Sequence, residues 1–226
     1  MCIRDRSNNS QVAIVAGRRR ELYPEASLYN AMCEVEWNTL VGLAKSSGGD
    51  FLIRASVLQK TGGFNPGVIA GEEPEMCVRI RAAGYEIYRL DMDMTFHDAN
   101  MHSVKQWWLR SERAGHAYAQ GYVMHGQPPE SMNRRELIRI IVFGSIFFVS
   151  IFAAIFIDLR FLLMLFVYPI QALRVYKNFK LRDHTQYQRR AYAISCGVAY
   201  VPQLCGVLKF YWRRFTGAQA TIIEYK

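Results

Sequence analysis

From Leu137 to Ile157 the chain carries a single charge, Arg139, set one turn in from the start of the run. At 1.5 Å per residue a helix over this run is long enough to cross the ~30 Å hydrocarbon layer of a bilayer. Asp158-Leu159-Arg160 interrupts the run, and the sequence is then apolar again to Val175, with Pro169 and Gln171 inside. Two spans are expected, at 137–157 and 159–175, joined so closely that they form an antiparallel hairpin. The competing reading, a buried soluble hairpin, needs a larger core than the remaining residues supply, because both helices are apolar all round. These runs divide the chain into a part at 11–130 and a membrane region at 131–226.

Charge sorts itself around the hairpin. The 226 residues hold 28 Lys and Arg against 19 Asp and Glu, a net charge of +9. Arg134, Arg135 and Arg139 stand at the head of the first run. Arg174, Lys177, Lys180, Arg182, Arg189 and Arg190 follow the second, and only Arg160 lies between. The positive-inside rule then places both flanks in the cytoplasm and the hairpin tip outside, as in a multi-pass protein of the plasma (inner) membrane. Anionic lipid accounts for the positive charge, so no nucleic acid partner is expected. Ala191 to Leu208 is uncharged, but a third span there would send Lys209, Arg213 and Arg214 outward. An interfacial or re-entrant helix at about 191–212, or one packed under the N-terminal part, fits better. The five cysteines form no Cys-x-x-Cys pair and are odd in number. That argues against a zinc knuckle or a disulfide framework and fits a reducing compartment.

The N-terminal part reads as α/β. Residues 1–10 lack the shape of a signal peptide and read as non-native sequence. Gln11 to Ala16 is apolar and β-branched, a buried strand. A basic turn, Arg18-Arg19-Arg20, follows, suited to a diphosphate or to a solvated face. Tyr23-Pro24-Glu25 opens a helix whose apolar stripe is Leu28, Met32, Val35 and Trp37. Gly42 to Gly49 is a loop, and Gly48-Gly49-Asp50 enters a strand at Phe51-Leu52-Ile53. No internal repeat or low-complexity segment is present.

Gly62 to His97 carries the densest set of motifs. It opens with Gly62-Gly63-Phe64 and continues as Gly71-Glu72-Glu73-Pro74-Glu75-Met76-Cys77-Val78-Arg79. A strand from Glu86 to Leu90 then leads to Thr95-Phe96-His97. Proline belongs in the first turn of a helix, and carboxylates are stabilised as anions by the partial positive charge of a helix N-terminus. Glu72 and Glu73 therefore read either as charge capping or as a general base positioned to take a proton from a bound hydroxyl. Spacing alone leaves both open.

The order Gly-Gly-Phe, Gly-Glu-Glu-x-Glu-Met-x-x-Arg, Ala-Gly-Tyr and a strand ending in His resembles the C-terminal half of the catalytic domain of family 2 glycosyltransferases. The resemblance covers roughly residues 45 to 125 and implies a partial GT-A (Rossmann-like) domain. It also implies that Glu73 is the catalytic base and Glu72 its partner. His97 would be a ligand of the divalent cation, Mn2+ or Mg2+, that holds the nucleotide sugar. That family more often has Asp where this chain has Glu73. Asp50, together with the Gly62-Gly63-Phe64 turn, would lie near the donor and acceptor. Membrane-bound relatives carry a Gln-x-x-Arg-Trp-like element that meets the donor diphosphate. Gln106, Trp107, Arg110 and Arg113 occupy that place here, with Trp ahead of Arg. Gln106, Arg110 and Arg113 share a helix face. Trp107 and Trp108 suit a sugar ring, a membrane–water interface or an ordinary core.

The strands that hold the nucleotide and the Asp-x-Asp metal motif of that family would precede Gln11, so the 226 residues read as a fragment that would not turn over alone. Asp91-Met92-Asp93 has the lettering of that motif but follows the acidic pair, and reads as a coincidence at a strand end. His97, His102, His116 and His125 lack the i, i+4 spacing of a zinc hydrolase. The leading expectation is a membrane-anchored, metal-dependent, inverting transferase, moving sugar from a nucleotide sugar to a lipid-linked or polysaccharide acceptor. A non-catalytic relative or complex subunit, and a transporter or assembly protein, are the alternatives.

Overall fold

The computed structural model describes residues 9–178 and 184–218. All but the last two residues of the segment read as non-native lie outside it. Among the described residues four strands make one mixed sheet: β1 (Val12–Glu21), β2 (Gly42–Leu43), β3 (Phe51–Ile53) and β4 (Glu86–His97), in the order β2-β4-β1-β3. β1 runs parallel to β4 and antiparallel to β3, with Ile14 opposite Ile53 and Val15 opposite Tyr88. Val12 to Ala16 is fully buried, as expected of a central strand with both faces covered. Ala13 and Ile14 pack with Met76, Ile80 and Ile87, while Val12 and Val15 pack with Leu90.

Three local expectations are corrected. Arg18-Arg19-Arg20 is not a turn, because β1 continues through it to Glu21. The reason lies across the sheet, where β4 likewise runs past Leu90 to His97 and presents carboxylates. Arg18 pairs with Asp91 at 3.1 Å and Asp93 at 3.2 Å, and Arg20 with Glu34 at 2.6 Å and Asp93 at 3.4 Å. Cross-strand ion pairs to Asp91 and Asp93, with a further pair to Glu34 of the following helix, thus continue a ladder whose first half is held by apolar burial. Asp91 and Asp93 are strand residues in mid-β4. The first helix, α1 (Leu28–Trp37), begins later than Tyr23-Pro24-Glu25 suggests. Ser27 is its N-cap, its Oγ accepting from the Asn30 amide at 3.0 Å, and the residues at 23–26 form a turn closed by Ala26 N–H to Tyr23 O. The 42–49 loop contributes Gly42 and Leu43 to the sheet edge against Arg89 and Tyr88.

α2 (Ala55–Thr61), α3 (Glu72–Ala82) and α4 (Val104–His125) complete this part. α2 ends at Gly62, whose φ of 80° is left-handed, and Gly63 follows at 63°, so the Gly-Gly pair is a helix stop.

Among the described residues two helices are long and apolar enough to cross a membrane. α5 (Arg134–Phe156) is the first. The second is Leu159–Asn178, in which a 3₁₀ stretch at Leu159–Phe166 passes into α6 (Val167–Asn178). The 3₁₀ rise of ~2.0 Å lengthens this shorter segment to about 34 Å, the length of α5. The two lie antiparallel: Ser150 Oγ donates to Phe161 O and Tyr168 OH to Phe143 O, both at 2.8 Å. The Ser150 and Tyr168 hydroxyls are thus satisfied within the hairpin, as a lipid environment demands. Leu159, Leu163, Phe166, Ile170 and Leu173 stay exposed on its outer face.

α7 (Gln186–Val198) and α8 (Tyr200–Thr216) meet at a 45° bend and together pass the same length and composition test as one broken span. α7 packs along α1 and α6, and α8 along α4 and α5. The third apolar segment is therefore two helices fastened to the α/β part.

Candidate functional site

α3 begins where the chain must bring carboxylates to a point. Gly71, its N-cap, sits at a φ of 81° and has no side chain to cap with. Neither Glu72 nor Glu73 hydrogen-bonds the helix end; Glu73 reaches instead to the 42–49 loop. Its Oε1 accepts the Ser47 backbone N–H at 2.6 Å, the Ser47 hydroxyl at 2.5 Å and the Cys77 thiol at 2.9 Å. Three donors on one oxygen fix the carboxylate, and Oε2 has no partner among the described residues. Burial, followed by the charge of Glu73 beside it, pushes the Cys77 thiol up to about 12. That thiol therefore serves as a neutral donor.

Glu72 and Glu73 line a cleft of about 380 Å³, together with Ser47, Gly48, Gly49, Asp50, Glu36, Trp37, Arg19, Arg89 and Arg113. That volume is in the range of small-molecule sites. Asp50 is paired with Arg19, whose guanidinium also lies 5.4 Å from the Trp37 ring centroid. Burial alone would raise the Asp50 carboxyl, but the Arg19 hydrogen bond and the charges of Arg19 and His97 outweigh it and hold it low. Arg89 crosses the floor of the cleft, donating to Gly17 O and Ser47 O at 2.7 Å each, and so pins the loop that holds Glu73. Glu36 on the rim is gripped by both nitrogens of Arg110, at 2.7 and 2.9 Å. Glu72 and Arg113 have no hydrogen bond or ion pair among the described residues. The cleft therefore offers three held carboxylates, Glu73, Asp50 and Glu36, one free carboxylate, Glu72, and one free guanidinium, Arg113.

The residues singled out in the sequence divide between cleft and scaffold. Glu73, Glu72, Asp50 and Arg113 converge. His97, at the end of β4, sits beside the cleft, its ring against Trp37 with centroids 5.4 Å apart, but does not line it. Gly62 and Gly63 lie elsewhere, where Arg79 donates to Thr61 O and Gly63 O, and Phe64 is exposed. Gln106 completes a capping box with Ser103 at the start of α4. Arg110 is committed to Glu36. Trp107 is in the core beside Met32 and Met101, its Nε1 donating to Ser195 Oγ at 2.8 Å, and is placed neither to stack on a sugar nor at an interface. Glu75 is structural: burial would raise its carboxyl, but Arg79 at 2.8 Å and His125 at 3.0 Å hold it low and tie α3 to the end of α4. Ser47, Glu36 and Trp37 join the site without a motif to mark them.

The carboxylates of the cleft do not compose a divalent-cation site. Among the described residues no three His, Cys, Asp or Glu side chains cluster as a metal set. Asp50, Glu36 and one oxygen of Glu73 are already engaged, which leaves Glu72 and the second oxygen of Glu73 as the open carboxylate donors.

Family models, curated proteins and solved structures yield no match to this chain.

Proposed function

We propose that this chain carries the acceptor side of a membrane-anchored glycosyltransferase of family 2 type. Glu73 acts as its general base and the cleft faces the cytoplasmic leaflet. The observation that carries this reading is the Glu73 carboxylate, clamped through Oε1 by Ser47 and Cys77 and lining a cleft that also holds a free guanidinium. A base that must meet a hydroxyl needs one oxygen immobilised and the other available, which is this arrangement.

In the proposed step the acceptor O–H gives its proton to Glu73 Oε2 as its oxygen bonds to the anomeric carbon. The bond from that carbon to the diphosphate breaks on the opposite face, with oxocarbenium character between, and inverts the configuration. Arg113 balances negative charge on the bound phosphates. A divalent cation would take its ligands from outside the carboxylates described above. The hairpin anchors the site to the membrane with both flanks cytoplasmic, where a lipid-linked or saccharide acceptor meets it.

The test is transfer of labelled sugar by membranes containing the whole reading frame that includes these residues. A panel of nucleotide sugars is supplied with Mn2+ or Mg2+. Transfer of one sugar to a lipid or polysaccharide fraction supports the reading; no transfer and no nucleotide-sugar binding across the panel contradicts it.

A further inference from the structure

A second concavity, about 830 Å³ and separate from Glu73, opens at the head of α5. Lys45, Arg81, Arg134 and Arg135 supply its positive charge, against Glu130 and Glu136. Arg81 is spent on Glu130 and on the Lys45 carbonyl. Lys45, Arg134 and Arg135 are exposed, and their side chains make no hydrogen bond or ion pair among the described residues. Three cations from two distant stretches of chain thus stand around one groove with no protein partner.

Its walls are built. Met132 N–H donates to His125 O at 3.0 Å, and Ser131 N–H to Gln127 O at 2.9 Å. Gly121 of α4 admits the loop so closely that a Cβ there would lie 2.5 Å from Asn133 and 3.1 Å from Met132. Ser131 and Asn133 hold left-handed φ angles of 49° and 57°, which turn the chain into α5. The groove stands at the first turn of a helix able to cross a membrane, and Ile138 lines its apolar end. That is the level at which lipid phosphates lie when α5 spans.

We infer that this groove is a binding site for the phosphate headgroup of an anionic membrane lipid, held by Lys45, Arg134 and Arg135 with the acyl chains alongside α5. Charge complementarity selects the phosphate, and continuity with the span selects a membrane-borne ligand over a soluble one. The site is independent of sugar transfer, since Glu72, Glu73 and Arg113 take no part in it.

The full chain, purified in an uncharged maltoside detergent, is titrated with dioctanoyl phosphatidic acid, dioctanoyl phosphatidylcholine and inorganic phosphate. Saturable binding of phosphatidic acid is expected, at least tenfold tighter than the other two. Lys45→Ala with Arg135→Ala weakens it by roughly fivefold for each cation removed. Arg174→Ala with Lys177→Ala, basic residues of the hairpin's other flank and outside the groove, leaves it within twofold. Lys45→Glu, a single change in an exposed loop, gives a second reading if the double variant does not fold, and weakens binding at least as much as the loss of one cation. Equal losses in the groove and control variants reduce the effect to diffuse surface charge and overturn the site. Inorganic phosphate binding as tightly as the lipid overturns the membrane-borne ligand.

Discussion

Gly206 of α8 meets the backbone of Glu112 in α4 so closely that a Cβ on Gly206 would stand 1.9 Å from the Glu112 carbonyl oxygen. Gly115 makes the reciprocal approach, where a Cβ would lie 2.0 Å from Gln203 O. Lys209 closes the same crossing with a 2.6 Å bond to Glu112, a nearly buried carboxylate. This backbone-to-backbone contact joins the helix that carries Arg113 to the apolar C-terminal pair. The cleft is thereby held in a fixed relation to the membrane region.

Gly206→Ala is accordingly expected to destabilise the chain by about 3 kcal/mol, since the obstacle is main chain that cannot swing aside. Gly67→Ala is the comparison: its nearest obstacle is the Asn65 side chain at 3.3 Å, and its effect stays within about 0.5 kcal/mol. Thermal denaturation of the two variants in one detergent checks the difference.

Arg110 and Arg113 lie one turn apart on α4 but differ in what they are free to do. With Arg110 held by Glu36, Arg110→Ala leaves the KM for the nucleotide sugar within about twofold and costs at most about 1 kcal/mol of stability. Arg113→Ala removes the uncommitted guanidinium of the cleft and raises that KM by roughly tenfold or more, the worth of a charge-assisted hydrogen bond. Steady-state kinetics on the two variants separate the roles.

His116 gives the α4–α8 crossing a pH dependence. It is buried with its ring edge-on to Phe210, centroids 5.1 Å apart, and its Nδ1 has no hydrogen-bond partner among the described residues. Burial, aided by the positive charge of Arg213 and opposed by Glu112, lowers its pKa from 6.5 to about 4. Between those values the unfolded chain binds a proton that the folded one refuses, so stability rises with pH across the window and falls on acidification. About 2 kcal/mol is lost between pH 7 and pH 5. His116→Leu removes that part of the slope, as denaturation at the two pH values measures.

The mixed α/β class and both long apolar helices were legible because they rest on composition and period, which are local. Glu72 and Glu73 were legible as a motif, and the structure adds that the pair lines a cleft rather than hydrogen-bonding its own helix end. What escaped is non-local. Arg18-Arg19-Arg20 looks like a turn until Asp91 and Asp93 are known to face it across the sheet. Ser47 lies in a small polar loop with nothing to mark it, 26 residues before the carboxylate it holds. Trp107 and Arg110 carry side chains suited to a sugar or a diphosphate, yet Ser195 and Glu36 claim them. Nothing local marks Gly206 as a place where α8 meets the backbone of α4.

The most direct measurement compares kcat for sugar transfer by Glu73→Gln, Glu72→Gln and the parent, in the whole reading frame, with folding verified by denaturation. Loss of the proposed base in Glu73→Gln lowers kcat by at least about a hundredfold at little change in KM, while Glu72→Gln stays within about tenfold. Parental turnover by Glu73→Gln, or a larger loss from Glu72→Gln, contradicts the account.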